Sequence, residues 1–130
     1  MIYILLNIYP IAASVLAGLV LGAVYYRVSG QVARTPAPGV IALAVLAEFW
    51  LAAILAGALI LAPPKADPWV MAVASAAVIW AGFVLPSVAA TLAYRAVRPR
   101  FILVDCGYWL VVMLVQATVM KLIGLVPPPA

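Results

Sequence analysis

Histidine is missing from all 130 residues, and cysteine occurs once, at Cys106. The first absence removes the commonest general base, the usual haem ligand and the commonest zinc or iron ligand. A lone cysteine makes no disulfide within the chain and no thiolate metal cluster. Charge is scarce too, at 8% of residues, where soluble domains carry about 25%. No glycine-rich phosphate loop and no Ser/His/Asp set occurs, so nucleotide binding and triad hydrolysis have nothing to rest on. Seven basic residues against three acids give +4. They are split between short loops, with no exposed domain to present them as a groove, which speaks against nucleic acid. No metal, cofactor, nucleotide or nucleic acid is expected.

What the chain has in quantity is hydrocarbon. Seventy per cent of it is hydrophobic and the mean hydropathy is +1.31, which excludes an aqueous globular fold. Four apolar runs, at about 4–26, 40–61, 69–94 and 101–123, are separated by breaker-rich or basic loops. Each is long enough for a hydrocarbon layer about 30 Å thick at about 1.5 Å per residue. The runs are continuously apolar and do not alternate, so helices are required rather than strands. The prediction is all-α: one domain over 1–130, an integral membrane bundle of four transmembrane helices. No positive residue precedes the first run, whose first charged side chain is Arg27, so it reads as a retained helix rather than a cleaved signal.

Orientation follows from the basic residues. Arg27, Arg34, Arg95, Arg98 and Arg100 fall on one side, Lys65 and Lys121 on the other. The arginine-rich side is expected in the cytoplasm and both termini on the non-cytoplasmic side of the cell inner (plasma) membrane, which is the periplasm where the host is a Gram-negative bacterium. The arginines form a collar suited to anionic lipid head groups, so membrane lipids are expected partners. Tyr3, Tyr25, Tyr26, Trp69 and Tyr94 fall at interface depth, where amphipathic rings prefer to sit.

Two acids, Glu48 and Asp105, lie inside apolar runs. An acid near the middle of a spanning helix costs about 2.5–3.5 kcal/mol and needs a reason. Gly22, Glu48, Pro86 with Ser87, and Asp105 with Tyr108 all fall in the cytoplasmic half, one contribution from each helix. The candidate polar intramembrane site is therefore Glu48, Asp105, Tyr108 and Ser87. Asp105 also reads as a side chain snorkelling toward Arg98 or Arg100. Glu48 also reads as a carboxyl neutral or paired across the bundle. On the fourth helix Asp105, Trp109, Val112 and Gln116 share a stripe, with Tyr108 at its edge, that should face the bundle or a partner. Ser14, Gly18 and Gly22 recur every four residues, a pattern that lets another helix approach closely, from within the bundle or from another subunit. Pro86 frees a carbonyl near Gly82 and is expected to distort its helix. Asn7 and Gln116, placed toward the outer end, are expected to hydrogen-bond between helices in a structural role.

Two stretches carry a family resemblance. The first helix ends Leu21-Gly22-Ala23-Val24-Tyr25-Tyr26, and the last third runs Gly82-Phe83-Val84-Leu85-Pro86 through Arg100-Phe101-Ile102-Leu103-Val104-Asp105-Cys106-Gly107-Tyr108-Trp109-Leu110. Across essentially its whole length the chain resembles the bacterial membrane family called domain of unknown function 1761, most specifically at the Asp-x-Gly-Tyr segment. The resemblance implies four spanning helices and brings no activity with it. The chain departs by a short first connection and by Trp109, where the family pattern leads one to expect histidine or another residue.

Three functions fit these residues. The first is a non-enzymatic helix-packing or accessory subunit, assembling with itself or with other membrane-protein subunits. The second is a small oligomeric transporter or channel with Glu48 as a proton- or cation-linked carboxylate, which requires Glu48 to face a cavity. The third is a membrane enzyme acting on a lipidic substrate, which requires an open crevice at head-group depth. So few polar groups are available for catalysis that the enzyme ranks last.

Overall fold

The computed structural model describes residues 1–30 and 35–129. The elements are α1 (Ile2–Leu6), α2 (Ile8–Val28), α3 (Pro38–Ile60), α4 (Pro68–Ile79), a π-helical turn (Trp80–Val84), α5 (Leu85–Tyr94) and α6 (Pro99–Ile123). Four stretches are long and apolar enough to cross a membrane: Ile8–Val28, Pro38–Ile60, Pro68–Tyr94 and Pro99–Ile123. The chain is thus a multi-pass membrane protein, all-helical over the described residues. Arg34 lies outside them.

Proline and glycine set the helix ends. Pro38, Pro68 and Pro99 each open a helix, where a missing N–H costs nothing and a fixed φ is already helical. Asp67 caps α4, its carboxylate accepting from the N–H groups of Trp69 (2.9 Å) and Val70 (3.1 Å). At the close of α5, Ala96 takes a left-handed φ of 57°. Val97 N–H then reaches back to the Leu92 carbonyl, which satisfies a carbonyl that the helix end would orphan.

Two local departures from the apolar runs have physical causes. The first run is not one helix: it breaks at Asn7 (φ −115°, ψ 25°) between α1 and α2. Pro10 has no N–H for the Leu6 carbonyl, and its ring clashes with a continuous helix there. Pro86 does the same to Gly82, and the chain answers with a wider turn rather than a sharp bend. Leu85 N–H bonds to the Trp80 carbonyl, an i→i+5 step, while Ser87 Oγ donates to the Phe83 carbonyl at 2.5 Å.

α6 packs against every other long helix. The core is Ile11, Val15, Ala52, Leu55, Ala56, Ala72, Ala76, Met113, Ala117 and Met120, and it occupies the half of the bundle nearer the chain ends. Alanines on α3 and α4 permit close approach, and Met113 and Met120 fill the gaps. Residues 38–47 of α3, by contrast, are exposed without exception. The bundle is closed at one end and splayed at the other.

The closed end is tied by side chain to backbone bonds. Asn7 Nδ2 donates to the carbonyls of Tyr3 and Val126 (both 2.8 Å), and Asn7 Oδ1 accepts from Val126 N–H (2.7 Å). The tail after Gly124, whose φ of 95° turns the chain out of α6, is thus paired as a strand would pair it. Tyr3 Oη donates to the Ala53 carbonyl at 3.1 Å. A Cβ on Gly57 would come within 3.3 Å of the Tyr3 ring, so glycine leaves the ring room it would otherwise have to find by shifting. Asn7, expected to bond between helices, bonds instead to Tyr3 and to the tail beyond α6, in a structural role. Replacing Asn7 with leucine should leave the Val126 amide and carbonyl unpartnered, costing about 1–3 kcal/mol. Hydrogen exchange at Val126 should rise sharply while exchange in the middle of α6 stays slow.

Candidate functional site

Glu48 stands halfway along α3, about 15 Å from Pro38 along the axis, and is only 3% exposed. Gln116 Nε2 donates to Glu48 Oε2 at 2.6 Å and lies 3.4 Å from the Glu48 carbonyl. The other face of the carboxylate rests on Gly18 of α2, where a Cβ would overlap it. The small residue and the amide together hold the acid between α2 and α6. Gln116, expected to be structural and remote, is therefore the partner that sets the site. Its own Oε1 is buried with no hydrogen bond, so the amide is held by what its nitrogen donates.

One turn along α2 the pattern repeats. A Cβ on Gly22 would stand 2.7 Å from the hydroxyl of Tyr108, a residue 8% exposed. The Glu48 carboxyl and Tyr108 hydroxyl are thus set about 6 Å apart along the helix, the rise of four residues. The Tyr108 ring stacks on Tyr25 (centroids 4.3 Å, 11°), and Tyr26 and Trp109 complete an aromatic cluster at 5.7 and 5.4 Å from it. Tyr25 Oη donates to Asp105 Oδ1 at 2.5 Å. Asp105 thereby steadies the ring behind Tyr108 rather than lining the space in front of it.

That space is a crevice of about 760 Å³ between α2 and the splayed half of α3, with α6 at its back. Its walls include Leu19, Ala23, Val40, Leu43, Ala44 and Ala47, its floor carries Glu48 and Tyr108, and Arg27 and Thr35 stand at its rim. A smaller space of about 400 Å³ at the closed end lies among Pro63, Pro68, Met71, Met120 and Lys121. It contains no acid and no aromatic cluster.

Of the four residues expected to form a site, Glu48 and Tyr108 meet in the crevice and Asp105 sits one ring behind. Ser87 does not join them. It is exposed on α5, and its hydroxyl donates to the Phe83 carbonyl one turn back. Ser14 is buried with its hydroxyl on the Ile11 carbonyl at 2.7 Å, so the whole Ser14, Gly18 and Gly22 stripe faces inward. Arg27, Arg95, Arg98 and Arg100 all belong to the splayed end, with Arg100 over the Phe101 ring at 4.6 Å. Trp80, not singled out in the sequence, ties the third span to the fourth by donating from Nε1 to the Cys106 carbonyl at 2.8 Å. No group of acids and cysteines suited to a metal occurs among the described residues.

No family model matches the chain, and no curated protein or solved structure does either. The resemblance to domain of unknown function 1761 therefore rests on the residues quoted above. Gln116→Leu should lower stability by about 1–3 kcal/mol, because Glu48 Oε2 loses its donor without losing its burial. Glu48→Leu added to that chain should recover most of the loss. Unfolding in mixed detergent micelles measures both.

Proposed function

We propose that the chain is a non-enzymatic membrane protein that binds, and as a small carrier moves, a lipid-soluble molecule held in the crevice over Glu48. The observation that carries the reading is the floor of that space: two buried polar groups with unused bonding capacity beneath apolar walls. Glu48 Oε1 and the Tyr108 hydroxyl meet no hydrogen-bond partner among the described residues, and both residues line the crevice. Polar groups at that depth in a membrane are ordinarily satisfied, so a partner from outside the chain fits the place. We place the arginine-bearing end in the cytoplasm and both termini on the opposite side of the plasma membrane, on the strength of the basic-residue asymmetry.

The enzyme reading gains the open crevice it required but not its second acid, since Asp105 is turned to Tyr25. The accessory-subunit reading draws on the uncovered stretch 38–47 of α3, which would seat a helix of a neighbouring subunit. The small-residue stripe offers it no such face, being occupied within the bundle by Glu48 and Tyr108.

Ala44 lines the crevice and lies on the exposed half of α3, so Ala44→Trp should fill the space without disturbing the core. Native mass spectrometry from mild detergent should show the wild-type chain carrying a small hydrophobic molecule and Ala44→Trp at least about tenfold less of it. Thermal unfolding of the two should agree within about 1 kcal/mol, as for surface changes generally. An empty wild-type chain, or equal loading of both, counts against the reading.

A further inference from the structure

We propose that the molecule taken by the crevice is a lipophilic organic cation, held with its positive charge against Glu48 and exchanged for one proton. This rests on the crevice reading above and names its ligand. Glu48 is the acid that lines the space. One carboxylate oxygen is engaged by Gln116 and the other meets no donor among the described residues. Beside it stand the rings of Tyr26, Tyr108 and Trp109, whose electron-rich faces attract cations.

The chemistry of the site narrows the class. A bare metal ion needs several oxygen ligands, and one carboxylate with one phenol is too few. An anion would meet the acid at the floor. A neutral lipid would hydrogen-bond to the acid but make no use of its charge. The walls are hydrocarbon and the volume is about 760 Å³, which suits a cation whose charge is wrapped in apolar groups rather than in water. Arg27 stands at the rim, nine residues beyond Gly18 on α2 and so about 14 Å from the carboxyl along the axis. At that distance, and exposed, it is largely screened.

The exchange balances. An unpaired charge at mid-depth in a bilayer is expensive, so the Glu48 carboxyl yields its proton to water at the rim as the cation arrives. The occupied site is then a neutral pair, and a returning proton expels the cation. Nothing is oxidised or reduced. Among the described residues, the other titratable or charged groups about Glu48 are Tyr26 and Arg27 on α2 and Tyr108 on α6, with Tyr25 and Asp105 behind the Tyr108 ring.

The test uses the full chain in phosphatidylcholine vesicles, with tetraphenylphosphonium as the cation and triphenylphosphine oxide as a neutral probe of similar ring content. Uptake into protein-free vesicles is subtracted. Tetraphenylphosphonium should bind saturably, one per chain, with an affinity that rises by up to about tenfold per pH unit while the proton competes. Calorimetry in buffers of different ionisation enthalpy should report about one proton released. Glu48→Gln should weaken binding at least about tenfold and abolish the pH dependence, whereas Glu48→Asp should keep the dependence. The pH and proton readings need only the wild-type chain, so a variant that fails to fold leaves the test intact. Equal binding of the neutral probe, indifferent to pH, overturns the cation and leaves the crevice reading standing. Binding of neither probe overturns the cation, and if Ala44→Trp also carries the same load as wild type, the crevice reading falls with it.

Discussion

The hydrogen bond from Gln116 to Glu48 is the interaction on which the shape of the bundle turns. It joins α3 to α6 at mid-depth, where no water competes for either group and an unmade bond is costly. On the side toward the chain ends, α3 presents Ala52, Ala53 and Ala56 and lies close against its neighbours. On the other side Tyr26, Tyr108 and Trp109 hold bulk between α2 and α6, and α3 stands away from them. Small residues below the bond and aromatic rings around it convert one polar contact into a fulcrum. The crevice is the space on the aromatic side of that fulcrum.

The closed end needs its own restraint, because alanine-rich helices gain little from burying small side chains against one another in lipid. Asn7 supplies it by pairing with the backbone of Val126 in both directions. Tyr3 adds a bond to the Ala53 carbonyl, made reachable by Gly57. Both chain ends are tied at that end, while at the arginine-bearing end residues 38–47 lie outside the core. Position within the membrane thus separates the two tasks: cohesion near the termini, openness near the arginines.

Length and breaker residues carried the helices. The four runs, and the prolines at their starts, placed the spans within a few residues, since hydrocarbon thickness and missing N–H groups act locally. The break at Asn7 was hidden because Pro10 sits inside an apolar run whose hydropathy does not register it. Rotation of each helix about its axis was harder to read. In water the buried face is marked by its apolar residues, but here lipid and core are both apolar, so leucine and valine give no bearing. Only polar and small residues do. They indicated that Glu48 and Tyr108 lie toward one space, yet they left open whether Gly18 and Gly22 face inward. Ser87 misled because its depth matches the site while its hydroxyl has a local use, which no hydropathy pattern reveals. Gln116 was expected to bond between helices, but residue counts along α6 did not show that its partner would be Glu48 on α3.

Several polar side chains in the spans have their needs met within the chain. Ser14 and Thr118 bond to carbonyls of their own helices, Trp80 to Cys106 and Tyr25 to Asp105. Against that background the unused oxygen of Glu48 and the unused hydroxyl of Tyr108 are not evenly scattered; both lie on the floor of one crevice. A bundle held together only for its own sake would gain by turning those groups to each other or by replacing them with leucine. Two glycines on α2 instead leave out the Cβ atoms that would overlap each of them, so the backbone yields room to polar atoms that the chain itself does not use. Room and spare bonding capacity in the same place are what a bound molecule requires.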